Sequence, residues 1–276
     1  MQLTHPESGA PLEYLYAAPS RRMGGLVLDV DLAPNHACNF SCQYCFVSDL
    51  TSGEGTELNL DQLAGELSTA LAAIQDPAYL EKVGLPSDQP FAGLVLSGHG
   101  EPTNNFSFRD VCALVAQQVQ GLEQRPRVAL VTNGSEIPAK KNREGLTHLA
   151  SIEAECWFKF DDPRREVQRE LNGSSIILRQ VRNNLKVAAE ALPTWLQAML
   201  LVKDGAAPSE ADRAEYAAFV KSQIAARVPL AGVQLVTLSH PSRQPEAERF
   251  AKVTPEDAEA FAAPLRELGV EVRVHV

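Results

Sequence analysis

Three cysteines lie close together in the first fifth of the chain. Residues 36–45 read HACNFSCQYC, which places Cys38, Cys42 and Cys45 at the spacing C-x3-C-x2-C. Three thiolates on one short loop can bind three corners of a cubane iron–sulfur cluster, whereas ferredoxin-type clusters use four cysteines. The fourth iron of such a cluster would be open to another ligand. A structural zinc site with His36 as a fourth ligand is the alternative that these residues leave open.

The two remaining cysteines, Cys112 and Cys156, stand alone in the sequence. Five cysteines are an odd number and too few for a disulfide scaffold. We interpret the two isolated residues as small buried hydrophobic side chains, because two cysteines could not complete a second cluster. The sequence therefore predicts one metal centre.

A second candidate segment, residues 96–103 with the sequence LSGHGEPT, follows an apolar run. It contains Gly98, His99, Gly100 and Glu101. Glycines allow a backbone to approach a ligand closely, and the carboxylate with exposed carbonyl groups could receive an ammonium group. An ordinary loop with a solvated acid and an uninvolved histidine is the alternative.

Polar residues also end two further apolar runs. Thr132 and Asn133 precede a glycine, which by itself indicates a turn. Lys159 lies inside the apolar run CWFKF, and Asp161 follows it. Because a lysine among apolar residues needs an anionic partner, we expect Lys159 either to face a ligand or to pair with Asp161.

Seven short apolar runs alternate with longer helical segments, and we predict that these runs are strands. They are continuous rather than alternating, as is typical of parallel strands buried on both faces. The predicted strands are Leu26–Leu32, Phe91–Leu96, Arg127–Thr132, Cys156–Phe160, Leu196–Val202, Gly232–Leu238 and Val270–Val274. This order predicts an α/β fold, a parallel (β/α) partial or near-closed barrel with about six core strands.

The helices between these strands have start signals in the sequence. Ser107, Ser209 and Thr254 each stand three residues before an aspartate, as N-cap residues do. The prolines of residues 1–25 predict an irregular lead-in. We expect residues 26–276 to form one domain.

Composition excludes several classes of protein. Hydrophobic residues make up 45% and charged residues 22%, which is a globular mixture, and the formal net charge is −10. An acidic chain is a poor binder of nucleic acid, where neutralisation of phosphates supplies most of the affinity. No apolar run approaches a membrane span, and the N-terminus does not resemble a signal peptide. These features predict a cytoplasmic protein without membrane contact.

The three motifs together resemble the radical S-adenosylmethionine (SAM) superfamily. Its signature is C-x3-C-x-aromatic-C, and Tyr44 occupies the aromatic position. The segment SGHGEPT resembles the GGEP motif of that superfamily, with His99 as the departure. The stretches LAPNHACNFSCQYC, LSGHGEPT and VTNGS are most similar to short stand-alone wyosine-type Fe–S oxidoreductases.

The resemblance implies two cofactors, a 4Fe–4S cluster on the three cysteines and SAM on the fourth iron. It further implies reductive cleavage of SAM to a 5′-deoxyadenosyl radical, with reduced flavodoxin or ferredoxin as electron donor. The substrate would be a small molecule, a peptide or a protein. The residues that it assigns to SAM are Tyr44, Gly98, His99, Gly100, Glu101, Thr132, Asn133, Lys159 and Asp161.

Two other functions remain open at this point. A tRNA-modifying radical SAM enzyme would use a set of basic residues between positions 140 and 186. A non-catalytic module that binds an iron–sulfur cluster or zinc would use the cysteines alone.

Overall fold

The computed structural model describes residues 1–276 and is built around one curved sheet of nine strands. Seven strands are parallel and run in the order β3-β4-β5-β6-β7-β9-β11. The strands are β1 Gln2–Thr4, β2 Pro11–Ser20, β3 Gly25–Asp31, β4 Phe91–Ser97, β5 Arg127–Thr132, β6 Glu155–Lys159, β7 Thr194–Met199, β8 Leu201–Lys203, β9 Leu230–Val236, β10 Phe250–Lys252 and β11 Val272–His275.

Eight helices accompany the sheet. They are α1 Leu60–Ala73, α2 Pro77–Lys82, α3 Phe108–Gln120, α4 Lys140–Ala150, α5 Arg165–Asn172, α6 Leu178–Ala191, α7 Glu210–Ala225 and α8 Pro255–Arg266. None of them combines the length and the apolar character that crossing a membrane requires.

The predicted parallel α/β architecture is confirmed, and the sheet remains open, because β11 pairs only with β9. Each predicted strand is present with small shifts at its ends, except that the run Leu196–Val202 divides. Its first part is β7, and its second part, β8, leaves the sheet to pair antiparallel with β10.

The two faces of the sheet differ in chemistry because side chains alternate along each strand. On β3, Leu26, Leu28 and Val30 are fully buried in the main hydrophobic core. The alternate positions, Asp29 and Asp31, lie on the opposite, concave face. The face of β3 that does not pack on the main core thus carries two acidic residues beside Val27, which belongs to a second, smaller apolar cluster.

Two of the three predicted helix caps are confirmed. Ser209 and Asp212 form a capping box at the start of α7, and Thr254 and Asp257 form another at the start of α8. Ser107 does not cap α3, because its hydroxyl accepts a hydrogen bond from the Leu58 amide instead.

The expectation of an irregular segment over residues 1–25 is wrong. The strand β2 pairs antiparallel with β3, and β1 pairs antiparallel with β2. The buried carboxylate of Glu66 on α1 accepts hydrogen bonds from the Glu13 and Tyr14 amides of β2. These two amides have no partner in a neighbouring strand, and Glu66 on α1 accepts their hydrogen bonds instead. The sequence did not reveal this contact because it joins residues more than 50 positions apart.

Candidate functional site

The three cysteines lie on a loop after β3, at the edge where the parallel strands end. We call residues 36–51 the cysteine loop. Its start and end are joined by hydrogen bonds between the Cys38 amide and the Thr51 carbonyl group and between the Thr51 amide and the His36 carbonyl group, both at 3.0 Å. The loop is therefore closed by its own backbone.

Two distant parts of the chain hold the cysteine loop from the other side. The amides of Ser41 and Gln43 donate to the carbonyl groups of Asn172 and Leu171 at the end of α5, at 2.9 and 2.8 Å. The Cys45 carbonyl group accepts a hydrogen bond of 2.9 Å from the Arg243 amide. These contacts fix the backbone that carries the three thiols.

The thiols of Cys38, Cys42 and Cys45 are free and partly exposed, whereas Cys112 and Cys156 are fully buried in the core. The side-chain amide of Asn172 donates to Cys42 Sγ at 3.4 Å, and the backbone amide of Phe40 donates to Cys38 Sγ at 3.5 Å. Such donors stabilise thiolates. Burial nevertheless raises the pKa of Cys42 to about 12 in the metal-free chain.

The donor set fits a three-cysteine iron–sulfur cluster better than zinc. No three His, Cys, Asp or Glu side chains converge on one metal position, as a single zinc ion would require, whereas each cysteine of a cubane cluster binds a different iron. His36 does not join the thiols. Its Nδ1 lies 3.0 Å from the Ser48 carbonyl oxygen, and its ring packs on His99 at 5.4 Å between ring centroids. A tetrahedral zinc site would therefore lack its fourth ligand.

Residues Gly98–Glu101 pack against the start of the cysteine loop. A Cβ at Gly100 would overlap the Ala37 carbonyl oxygen, and a Cβ at Gly98 would overlap the Asp31 carboxylate. Gly98 also has a φ of +132°, which disfavours other residues. The Glu101 amide donates to the Ala37 carbonyl group at 3.1 Å. The glycines thus serve contact between two loops of this chain.

The Glu101 carboxylate is only 1% exposed and is surrounded by donors from this chain. It accepts from the Thr103 amide and hydroxyl at 3.1 and 2.6 Å, from the Thr132 hydroxyl, and from the Asn133 amide at 2.7 Å. Glu101 therefore joins the end of β4 to the end of β5. Contact of this carboxylate with SAM stays a prediction.

Asn133 connects the end of β5 to the cysteine loop. Its side-chain amide donates to Asn39 Oδ1 at 2.9 Å, and the side-chain amide of Asn39 donates to the Ser135 hydroxyl at 2.7 Å. Thr132 and Asn133, which the sequence singled out after β5, are thereby brought against the same loop as the thiols.

Asp161 is the centre of a second network, after β6. Its Oδ2 accepts from the Tyr44 hydroxyl at 2.6 Å and from the Asn172 amide at 2.7 Å, and its Oδ1 accepts from the Met199 amide at 3.0 Å. Burial and the adjacent Asp161 carboxylate raise the pKa of Tyr44 well above its ordinary value. Tyr44 and Asp161 therefore orient the cysteine loop relative to β6 and β7.

Lys159 forms no ion pair with Asp161, which settles one of the two expectations for this residue. Burial lowers the pKa of its ammonium group. The opposing effect of nearby groups is larger, so the net shift of the pKa is upward; these groups are the Glu101 carboxylate and the thiols of Cys42, Cys38 and Cys45. Lys159 lies close to the cysteine loop, because Lys159 and Cys42 line the same small cavity. A cavity of about 20 Å³ beside Cys42 and Lys159 has room for little more than one water molecule.

His99 is held by a carboxylate that sequence analysis missed. Asp31 Oδ2 lies 2.5 Å from His99 Nδ1, and Asp31 Oδ1 accepts from the His99 amide at 3.1 Å. The hydrogen bond to Asp31 raises the pKa of His99. The ring also packs edge-on against Tyr16 at a centroid distance of 4.8 Å. Two aspartates at alternate positions of β3, Asp29 and Asp31, were the available signal for Asp31.

Asn172 is the other residue that sequence analysis missed. It contacts Cys42, Tyr44 and Asp161 with one side-chain amide. It ends α5, a short and strongly polar helix whose apolar residues are only Val167 and Leu171.

Of the comparisons with known proteins, the one with solved structures identifies the fold. No protein-family model matches this sequence, and no curated protein matches it. Solved structures do. A structure described as TYW1 with a lysine-pyruvate adduct bound superposes with a TM-score of 0.55 at 14% identity, over 87% of this chain and 73% of that one. A radical SAM methyltransferase from Sphaerobacter thermophilus gives 0.56 at 16% identity, over 91% and 66%.

The chain has the radical SAM fold. A structure described as native anSMEcpe with bound AdoMet and Cp18Cys peptide superposes with a TM-score of 0.53 at 13% identity. The match covers 90% of this chain and 62% of that one, so this chain spans less than two thirds of the neighbour's length. At these identities the likeness concerns the architecture.

Proposed function

We propose that this protein is a radical SAM enzyme that binds one 4Fe–4S cluster through Cys38, Cys42 and Cys45. The observation that carries the proposal is the C-x3-C-x2-C loop at the carboxyl edge of a sheet with the radical SAM fold. When bound, the cluster would supply an electron to SAM, and SAM would supply the 5′-deoxyadenosyl radical that abstracts hydrogen from a substrate.

The residues around the loop support this function by holding charge and backbone in place. Lys159 offers a positive charge to a site that three thiolates and an anionic cluster would make negative. The amides of Asn172 and Phe40 offer hydrogen bonds to sulfur, and such bonds tune the potential of an iron–sulfur centre.

The ligand contacts proposed for SAM lie around the same edge. Gly98, His99 and Gly100 have partly exposed backbone, which leaves carbonyl groups for the SAM ammonium group. Glu101 would act by fixing the position of that backbone, since its own acceptors are taken by Thr103, Thr132 and Asn133. Tyr44 is proposed to flank the adenine side, and Asp161 to orient Tyr44.

Anaerobic reconstitution tests the proposal. The wild-type protein should bind about four irons per chain and should form 5′-deoxyadenosine from SAM under dithionite, slowly and without any substrate. Cys42→Ala should lose both the iron and the product.

Cys112→Ala is the matched control, because Cys112 is fully buried in the core and far from the loop in sequence. It should retain iron and product formation. Retention of full iron by Cys42→Ala would contradict the assignment of the ligands. A protein that binds the cluster but never cleaves SAM would instead be a non-catalytic cluster-binding module.

The electron donor is proposed to be a small one-electron carrier, reduced flavodoxin or ferredoxin. A second function in tRNA modification is not favoured by the structure. Among the basic residues that would serve it, Arg164 pairs with Asp162 and Asp212, and Lys140 and Lys186 pair with glutamates on their own helices.

A further inference from the structure

A partly exposed arginine crosses the concave side of the sheet. Arg22 lies in the turn between β2 and β3, yet its Nη1 donates at 2.7 Å to Gln197 Oε1 on β7. In the sheet, β7 is four strands along from β3. This contact is possible because the sheet curves and brings β7 opposite β3. Its guanidinium group stacks on Trp157, 4.3 Å from the ring centroid.

A carboxylate faces the same interior from β3. Asp29 accepts a hydrogen bond of 2.7 Å from the Ser97 hydroxyl on β4. Asp29 and Arg22 are close enough to influence each other's pKa, but they do not form an ion pair. Burial raises the pKa of Asp29 to about 6 and lowers the pKa of Arg22 to about 10.

The two charges are enclosed but not sealed. Arg22, Asp29 and Ser97 each keep part of their surface accessible, whereas Gln197 is buried. Most of the donors of Arg22 and most of the acceptor positions of Asp29 have no partner in the chain. Opposite charges held apart in an enclosed space are costly unless a ligand or water compensates both of them.

This interior lies beside the cysteine loop. Lys159 on β6 is in register with Gln197 on β7, and Lys159 lines the small cavity beside Cys42. A molecule held between Arg22 and Asp29 would therefore lie on the same concave side as the proposed cluster and SAM.

We propose that Arg22 and Asp29 form the substrate subsite and that the substrate is an α-amino acid. Its carboxylate would bind the free edge of the Arg22 guanidinium group, and its ammonium group would bind Asp29. This inference rests on the proposed radical SAM function for its setting, because it places the amino acid where hydrogen abstraction would occur.

Ligand-observed NMR with the reconstituted protein and SAM tests the subsite. The probes are the twenty standard amino acids, each followed by its N-acetyl and its carboxamide form. At least one free amino acid should give saturation transfer, and blocking either group should weaken its binding about tenfold or more, the value of one charge-assisted hydrogen bond.

Two variants assign the groups. Arg22→Gln should weaken the binding of the free amino acid about tenfold, and it should abolish the preference for the free amino acid over its carboxamide form. Asp29→Asn should do the same for the N-acetyl form. Arg21→Gln, at the exposed neighbouring position, should bind as wild type does. Arg22→Lys, which retains the charge, should bind better than Arg22→Gln, and circular dichroism should show that all four variants are folded.

Absence of binding by every free amino acid would overturn the subsite, as would variants that keep wild-type affinity and discrimination. Arg22 and Asp29 would then be a water-mediated structural pair. The wild-type assay for 5′-deoxyadenosine separates this failure from that of the proposed function. Cleavage of SAM without amino-acid binding removes only the subsite, whereas amino-acid binding without cleavage removes only the radical SAM function.

Discussion

At the scale of single residues, the carboxylates near the site have different tasks because they have different neighbours. Glu101 is enclosed by four donors and joins two strand ends. Asp161 gathers Tyr44 and Asn172 around the cysteine loop. Asp31, which is 1% exposed, holds a histidine whose side chain remains 27% exposed. An acid in the sequence therefore does not reveal its role until its partners are known.

The pair of Asp31 and His99 predicts a pH dependence. The hydrogen bond to Asp31 raises the pKa of His99 above 6.5 in the folded protein. A raised folded-state pKa stabilises the protein below the unfolded value, and this contribution disappears as the pH rises through the folded value. Asp31→Asn should lower the His99 pKa, and it should cost more stability at pH 5.5 than at pH 9.

Proton NMR titration of the ring measures this pKa in the metal-free protein, with the His99→Gln spectrum for assignment among the six histidines. An unchanged His99 pKa in Asp31→Asn would show that the short contact has no electrostatic weight.

Glu101 gives a prediction about stability. Glu101→Ala should lower the free energy of unfolding by roughly 2–4 kcal/mol, because it leaves the buried Thr103 and Asn133 amides without acceptors. Urea denaturation measures the change. Glu57→Ala, at an exposed acid, is the control and should stay within about 0.5 kcal/mol of wild type. A loss as small as that of the control would contradict the structural role of Glu101.

At the scale of elements, contact between two loops depends on a missing side chain. A Cβ at Gly100 would overlap the Ala37 carbonyl oxygen, which is backbone and cannot rotate away. Gly65 provides the opposite case, because a Cβ there, inside α1, would meet nothing.

Gly100→Ala should therefore displace the start of the cysteine loop and reduce iron binding, and it should lower the melting temperature. Gly65→Ala should leave iron binding unchanged and stabilise the protein by about 0.5–1 kcal/mol, since alanine favours a helix interior. Iron analysis and thermal denaturation measure the two effects. Equal iron loading in both variants would show that the loop tolerates the shift.

The elements differ in how well the sequence predicted them, for physical reasons. The core strands were predictable because burial on both faces demands continuous apolar runs, as in the FAGLVL run that forms most of β4. Helix α5 was not, because its sequence REVQRELN is almost wholly polar and forms where it can support the cysteine loop. The cysteines, Gly98 and Gly100 were found from their spacing. Asn172 and Arg22 were not found, because only folding brings them close to their partners. Asn172 lies 130 positions from Cys42, and Arg22 lies 175 positions from Gln197.

At the scale of the whole molecule, an open sheet has an edge that must be covered. The N-terminal strands β1 and β2 cover the edge of β3, and Leu3, Leu15 and Ala17 are fully buried there. Unpaired strand edges favour aggregation.

Deletion of residues 1–20 should therefore yield a protein that aggregates, since it exposes the edge of β3 and removes the partners of Glu66. Size-exclusion chromatography after refolding measures this outcome. Glu66→Gln is a milder comparison that keeps the hairpin and should remain monodisperse. A soluble, monodisperse deletion variant would show that the hairpin is dispensable.

The hydrogen bonds that hold Cys45 also have a consequence for biosynthesis. The Gln244 side chain, 199 positions downstream, donates to the Cys45 carbonyl group. At ribosomal rates of about 5–20 residues per second, roughly 10–40 seconds separate the synthesis of these two residues. During that interval the three thiols have emerged from the ribosome without the segment that fixes their loop. The site therefore cannot reach its final geometry until residue 244 has been synthesised.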